Sequence, residues 1–144
     1  MELYPLLLSL HNLLRWLVLL LGLLSLFALS RPLGPMARVY ALGFAHAFTL
    51  QLILGLLLLW QSPLLAPAYR NLALARENPE VGFFLLEHWV GMVLALGLAH
   101  MARAKAEKAV QGASKEGKKA FWFTLASLLL TLFSIPWWRP WMRL

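Results

Sequence analysis

The chain has 144 residues, 61% of them hydrophobic and only 13% charged, a balance outside the range of soluble globular domains. It contains no cysteine, which excludes disulfides, thiolate metal sites, iron–sulfur clusters and covalent c-type haem attachment. Its formal charge of +7 is gathered at the ends of apolar stretches; this argues against a nucleic-acid surface and makes the basic excess a topology signal.

The first apolar stretch runs from about residue 6 to 29, with Pro5 suited to the opening turn of a helix, where its missing N–H needs no partner. Ala28-Leu29-Ser30 loosely imitates a signal cleavage site, but Glu2 precedes the run and Arg15 interrupts it, so it reads as a mature helix. Arg31-Pro32-Leu33-Gly34-Pro35 then makes a tight turn, and a second stretch follows to Trp60, stopped by Ser62-Pro63. Between Pro63 and Glu80, the segment Tyr69 to Glu77 has mixed polarity and is expected to form a short surface helix. The third stretch, from Val81 to Ala102, continues as an Ala-, Lys- and Arg-rich helix to Val110 before breaking at Gly112 to Gly117. The fourth, about 121–136, has only roughly 16 apolar residues where about 20 are needed to cross ~30 Å of hydrocarbon, and completes the span with flanking tryptophans.

The predicted architecture is therefore all-α: one domain, an integral membrane four-helix bundle with helices near 5–30, 36–61, 80–110 and 119–136. Arg31, Arg38, Arg103, Lys105, Lys108, Lys115, Lys118 and Lys119 lie on one side, and Arg70, Arg76, Arg139 and Arg143 on the other. The positive-inside rule makes the richer side cytoplasmic, with both termini outside, in a bacterial inner membrane. That side also suits anionic headgroups. Trp60, Trp122, Trp137, Trp138 and Trp141 fall at the expected interfaces.

All four histidines fall inside apolar stretches, where ionisable groups mark functional sites or internal partners. His11 lies roughly 8 Å and His88 roughly 10 Å below the outer boundary, while His46 and His100 form a looser second level differing by ~5 Å. Two layers of imidazoles from facing helices suit axial ligation of iron in two stacked haem b groups; one haem on His11 and His88 is the reduced version. His88 and His100 rise ~18 Å apart and point about 120° apart, so they must serve different partner helices. Gly43, Gly91 and Gly97 sit one turn from these histidines, leaving room for a flat macrocycle or for close helix packing. Arg15, one turn below His11, needs a counter-charge; Glu87 is the acid inside a span at the right depth, so an Arg15–Glu87 ion pair is expected, or else a haem propionate or quinone contact for Arg15. Arg38, Arg103 and Lys105 suit inner propionates or simply set the topology, and Gln51, Thr49, Thr124, Ser127, Thr131 and Ser134 are expected to hydrogen-bond between helices.

The segments His11-Asn12-Leu13-Leu14-Arg15-Trp16, His46 with Gln51-Leu52-Ile53-Leu54-Gly55, Glu87-His88 with Met92, and Ser134-Ile135-Pro136-Trp137 resemble those of small four-helix bacterial membrane proteins grouped as cytochrome b. More distantly the chain is similar to bacterial cytochrome b561, a resemblance that implies haem b and quinone-linked electron transfer. It departs from that family in having no histidine on its fourth helix. The expectation is a b-type cytochrome passing electrons between quinone or quinol and an acceptor, such as a redox protein, at one membrane face. The rivals are a quinol-dependent oxidase of a small oxidant such as superoxide, and a haemless structural subunit of a larger membrane complex.

Overall fold

The computed structural model describes residues 3–140; Glu2, Trp141 and Arg143, used above in reading topology, lie outside the described residues. Five helices follow in chain order: α1 (Leu3–Leu29), α2 (Pro35–Gln61), the single turn α3 (Leu74–Glu77), α4 (Pro79–Val110) and α5 (Lys115–Ser134). Among the described residues there is no strand. Helices α1, α2 and α4 are long and apolar enough to cross a membrane. The shorter α5 opens on Lys115, Glu116, Lys118 and Lys119.

Local chemistry sets the breaks. Pro35 occupies the first turn of α2 after an extended Gly34. The side chain of Asn78 accepts hydrogen bonds from the backbone of Glu80 and Val81, capping α4, with Pro79 next in line. After α4 the chain turns at Gly112, whose φ of +112° is open to glycine and costly for other residues. The expected surface helix over Tyr69 to Glu77 shrinks to α3; its start is taken by irregular turns, with the Tyr69 hydroxyl donating to the Leu59 carbonyl.

The long helices form a ring in the order α1, α2, α4, α5, each packed on its neighbours, so that α1 faces α4 across the middle. One end, called upper here, carries His11, Gly55, His88 and Ser134; the lower end carries the two loops around Pro32 and Gly112. Phe44 and Phe48 fill the centre with Val18, Met92, Ala95, Ala99 and Leu128.

The α4–α5 seam is built from small residues at three- and four-residue spacing. Ala95, Ala99, Ala102, Ala106 and Ala109 face Gly117, Ala120, Thr124, Ser127, Thr131 and Ser134, all buried. Small side chains let two backbones approach closely, and here the Ser127 hydroxyl crosses the seam to the Ala95 carbonyl at 2.7 Å. Thr124 and Thr131, expected to bond between helices, instead donate to carbonyls of their own helix at Ala120 and Ser127. The large apolar side chains point the other way: Leu13, Leu23 and Phe27 of α1, Leu50 and Ile53 of α2, and Phe133 of α5 are exposed. Large residues outside and small or polar ones inside is the arrangement that lipid, rather than water, rewards.

The lower end is stitched by charge. Arg38 of α2 pairs with Glu107 of α4 at 2.8 Å, and Glu116 of α5 receives Lys105 of α4 at 2.7 Å and Lys119 at 2.6 Å. Hydrogen bonds from Lys105 and then Lys119 pull the Glu116 carboxyl down to about 2.

Candidate functional site

At the upper end, residues Phe83–His88 of α4 form a π-helical turn, a widening often associated with functional side chains. His88 closes that turn and faces His11 of α1, with ring centroids 6.5 Å apart and planes at 65°. At the lower level His46 of α2 and His100 of α4 stand 6.4 Å apart with planes at 90°. A metal holds an imidazole nitrogen at ~2 Å, and the ring centre lies ~1 Å beyond, so two imidazoles on opposite sides of one metal have centroids ~6 to 6.5 Å apart. Both pairs have that spacing. Among the described residues no three His, Asp or Glu converge, so the histidines meet strictly two by two.

The two pairs differ in every other respect. The His88 Nδ1–H donates to the Ser134 carbonyl of α5 at 2.6 Å, and because a carbonyl only accepts, the proton sits on Nδ1 and Nε2 keeps its lone pair. His11 is held through its backbone: Gln51 of α2 donates from Nε2 to the His11 carbonyl at 3.0 Å. The His11 ring lies over Gly55, where a Cβ would come within 3.1 Å of its Cε1, and its Nδ1 is buried without a hydrogen-bond partner. The buried Gln51 Oε1 is likewise unpartnered. Phe83 and Phe84 stack about His88 at 5.8 and 5.6 Å. A partly open cavity of about 120 Å³ lies here, lined among others by His11, Arg15, Phe48, Gln51, His88 and Met92. Cofactor pockets usually span ~300–1,000 Å³, so a flat macrocycle enters only if flexible liners such as Met92 and Leu52 swing aside.

The lower pair sits at the edge of the α2–α4 seam, with His46 exposed and His100 half-buried. This follows from helix geometry. The opposite and adjacent helices of a square bundle lie about 45° apart as seen from α4, but twelve residues turn the side chain by about 120°, carrying His100 past α2 toward the periphery. Moreover, His100 Nε2 is already engaged: the Thr49 hydroxyl donates to Ala45 and accepts from His100 Nε2 at 3.0 Å.

Other residues singled out in the sequence fall as follows. Arg15 lines the upper cavity with its guanidinium 5.1 Å from the Trp16 ring. The expected Arg15–Glu87 ion pair is not formed: Glu87 is exposed, because adjacent helical residues point about 100° apart and His88 takes the inward direction. Gly91 serves packing, since the space its Cβ would need is filled by the Ser134 side chain. Gly43 makes ordinary contact with Leu21 of α1, and Gly97 faces open space beside the lower pair. Of the cations assigned to inner propionates, Arg38 and Lys105 are paired with Glu107 and Glu116, while Arg103 is exposed. Sequence reading gave no role at the site to Gly55, to the Ser134 carbonyl, or to Arg139, which lines the upper cavity while paired to Glu80 at 2.6 Å. A signal for Gly55 was available in its spacing: it lies one turn beyond Gln51, on the same face of α2. The chain matches no family model, no curated protein and no solved structure.

Proposed function

We propose that the chain is a b-type cytochrome with four membrane crossings, its upper end outside and its lower end cytoplasmic, in a bacterial inner membrane, and that His11 and His88 are the axial ligands of its haem. The topology rests on the lower end's concentration of Lys and Arg, and on α5 completing a fourth crossing with Trp122 and Trp137 at its ends. The ligand assignment rests on one observation above the others: two half-buried imidazoles from opposite helices stand 6.5 Å apart, one of them fixed by a carbonyl so that Nε2 is left bare.

The donor chemistry of the residues present fits the group, provided that Met92 and Leu52 make room for it. Two neutral imidazoles are a suitable donor set, Gly55 leaves the clearance His11 needs, and His11 and Gln51, each with a buried polar atom lacking a partner, line the cavity. Bound haem supplies one-electron chemistry. The protein's part would be to supply His11 and His88 as the two ligands, a set that favours electron transfer over oxygen activation, and to exclude water with Phe48, Phe83 and Phe84. Electrons pass between quinone or quinol and an acceptor at one membrane face; Arg15 and Gln51 provide hydrogen-bonding groups in the same cavity, and the quinone link itself comes from the resemblance to cytochrome b561.

A two-haem version, with His46 and His100 as the second ligand pair, is favoured by their matching 6.4 Å spacing and disfavoured by exposure and by the Thr49 contact. Oxidised and dithionite-reduced spectra of the detergent-purified protein, with haem content per chain, test both versions. One haem with sharp reduced alpha and Soret bands is expected; a chain free of haem returns the protein to the class of structural subunits.

A further inference from the structure

The segment Ser134-Ile135-Pro136-Trp137 ends α5 beside His88. The last carbonyls of a helix have no partner within it and carry the negative end of the helix dipole. Here Leu132 O accepts from the Ile135 backbone at 3.4 Å and from Trp137 Nε1 at 2.7 Å, and Ser134 O accepts from His88 Nδ1. Pro136 has no N–H to continue the ladder and its ring blocks the preceding turn, so the helix stops where Ser134 O is left pointing outward. Gly91 holds the two helices at this distance, because the Ser134 side chain occupies the place of its missing Cβ.

We propose that the C-terminal turn of α5, through the Ser134 carbonyl, is the positioning group for His88: it holds the proton on Nδ1, presents Nε2 as the ligand atom, and makes His88 the stronger donor of the two axial imidazoles. This rests on the reading of His11 and His88 as haem ligands. A carbonyl drawing on Nδ1–H pushes electron density through the ring to Nε2, which favours the oxidised metal and lowers the midpoint potential. His11, whose Nδ1 has no acceptor, lacks this push, so the two ligands are chemically unequal.

The experiment is a redox titration of haem-loaded Gly91→Ala, Ser134→Gly and the double variant, followed by absorbance. In Gly91→Ala the new methyl pushes Ser134 away and stretches the bond. At fixed ambient potential its reduced-to-oxidised ratio is expected to rise about tenfold, a shift of ~59 mV for one electron. Ser134→Gly keeps the carbonyl and stays within about twofold of wild type, and the double variant returns toward wild type because the methyl then has room. An unchanged potential in haem-loaded Gly91→Ala overturns the proposal, leaving the bond a packing contact. Should Gly91→Ala fail to load haem, the reduced, diamagnetic wild-type protein decides: a ring N–H proton of His88, shifted downfield and slow to exchange, is expected by NMR, and its absence overturns the assignment. Failure of the ligand reading itself looks different, since His88→Ala then keeps full haem occupancy and wild-type potential.

Discussion

The upper and lower histidine pairs have nearly the same ring separation, 6.5 and 6.4 Å, yet they are different chemical objects. The upper pair spans the middle of the helix ring, is half-buried beside a cavity, and has its His88 ring fixed through Nδ1 by a backbone carbonyl. The lower pair lies at the edge of one seam, has an exposed member, and spends the Nε2 of His100 on Thr49. Spacing alone therefore does not define a ligand pair. What the second ring nitrogen touches, and which helices the rings span, carry the distinction.

The sharpest way to break this comparison is to delete each histidine in turn. On the proposed ligation, His11→Ala and His88→Ala are expected to lower haem occupancy by about tenfold or more, each removing a proposed ligand, while His46→Ala and His100→Ala leave occupancy within about twofold. Haem-to-protein ratios of the four purified variants test this, and equal losses at both levels contradict it. Next in size is Gly55→Val. The Cβ alone would approach the His11 ring to 3.1 Å, so a branched side chain displaces that ring and is expected to cost several-fold in occupancy, whereas Gly97→Val, facing open space by the lower pair, costs little.

A smaller effect is expected in the seam that carries Ser134 to His88. Ser127→Ala removes a buried bond between α5 and α4 and should destabilise the folded protein by about 0.6–2 kcal/mol, read as a lowered unfolding midpoint in detergent. The smallest expected effect is at the lower end. Because Glu116 is held at about 2 against an ordinary 4.5, its pairs with Lys105 and Lys119 contribute fully above about pH 4.5, and their contribution fades as pH falls toward 2. Glu116→Gln should thus be less stable than wild type at neutral pH and converge with it near pH 2, with no change in the upper pair's spectrum.

Much of the scaffold was legible in the sequence because its breaks are made by residues with few alternatives: the turn from Arg31 to Pro35 before α2, Ser62-Pro63 after it, and Gly112 beyond α4. Depth arithmetic placed His11 level with His88 and His46 within ~5 Å of His100, and the rings meet in those combinations. Direction around the helix was harder to read. The 120° between His88 and His100 was visible, but its consequence, an exposed His46, depends on which helices are neighbours and which are opposite. Glu87 was expected inward by depth alone, although its sequence neighbour His88 already claimed that direction. Gly91 could be read as clearance beside a ligand or as close helix packing, and the Ser134 side chain in its place selects packing. The Ser134 carbonyl was invisible for a simpler reason: a backbone oxygen has no letter of its own, and its availability depends on where α5 ends relative to a histidine 46 residues away.

The most direct measurement is haem b per chain in purified wild type beside two double variants, His11→Ala/His88→Ala and His46→Ala/His100→Ala. One haem in wild type and in the lower double variant, with none in the upper, is the predicted result. Haem retained by the upper double variant and lost from the lower one would contradict the assignment outright.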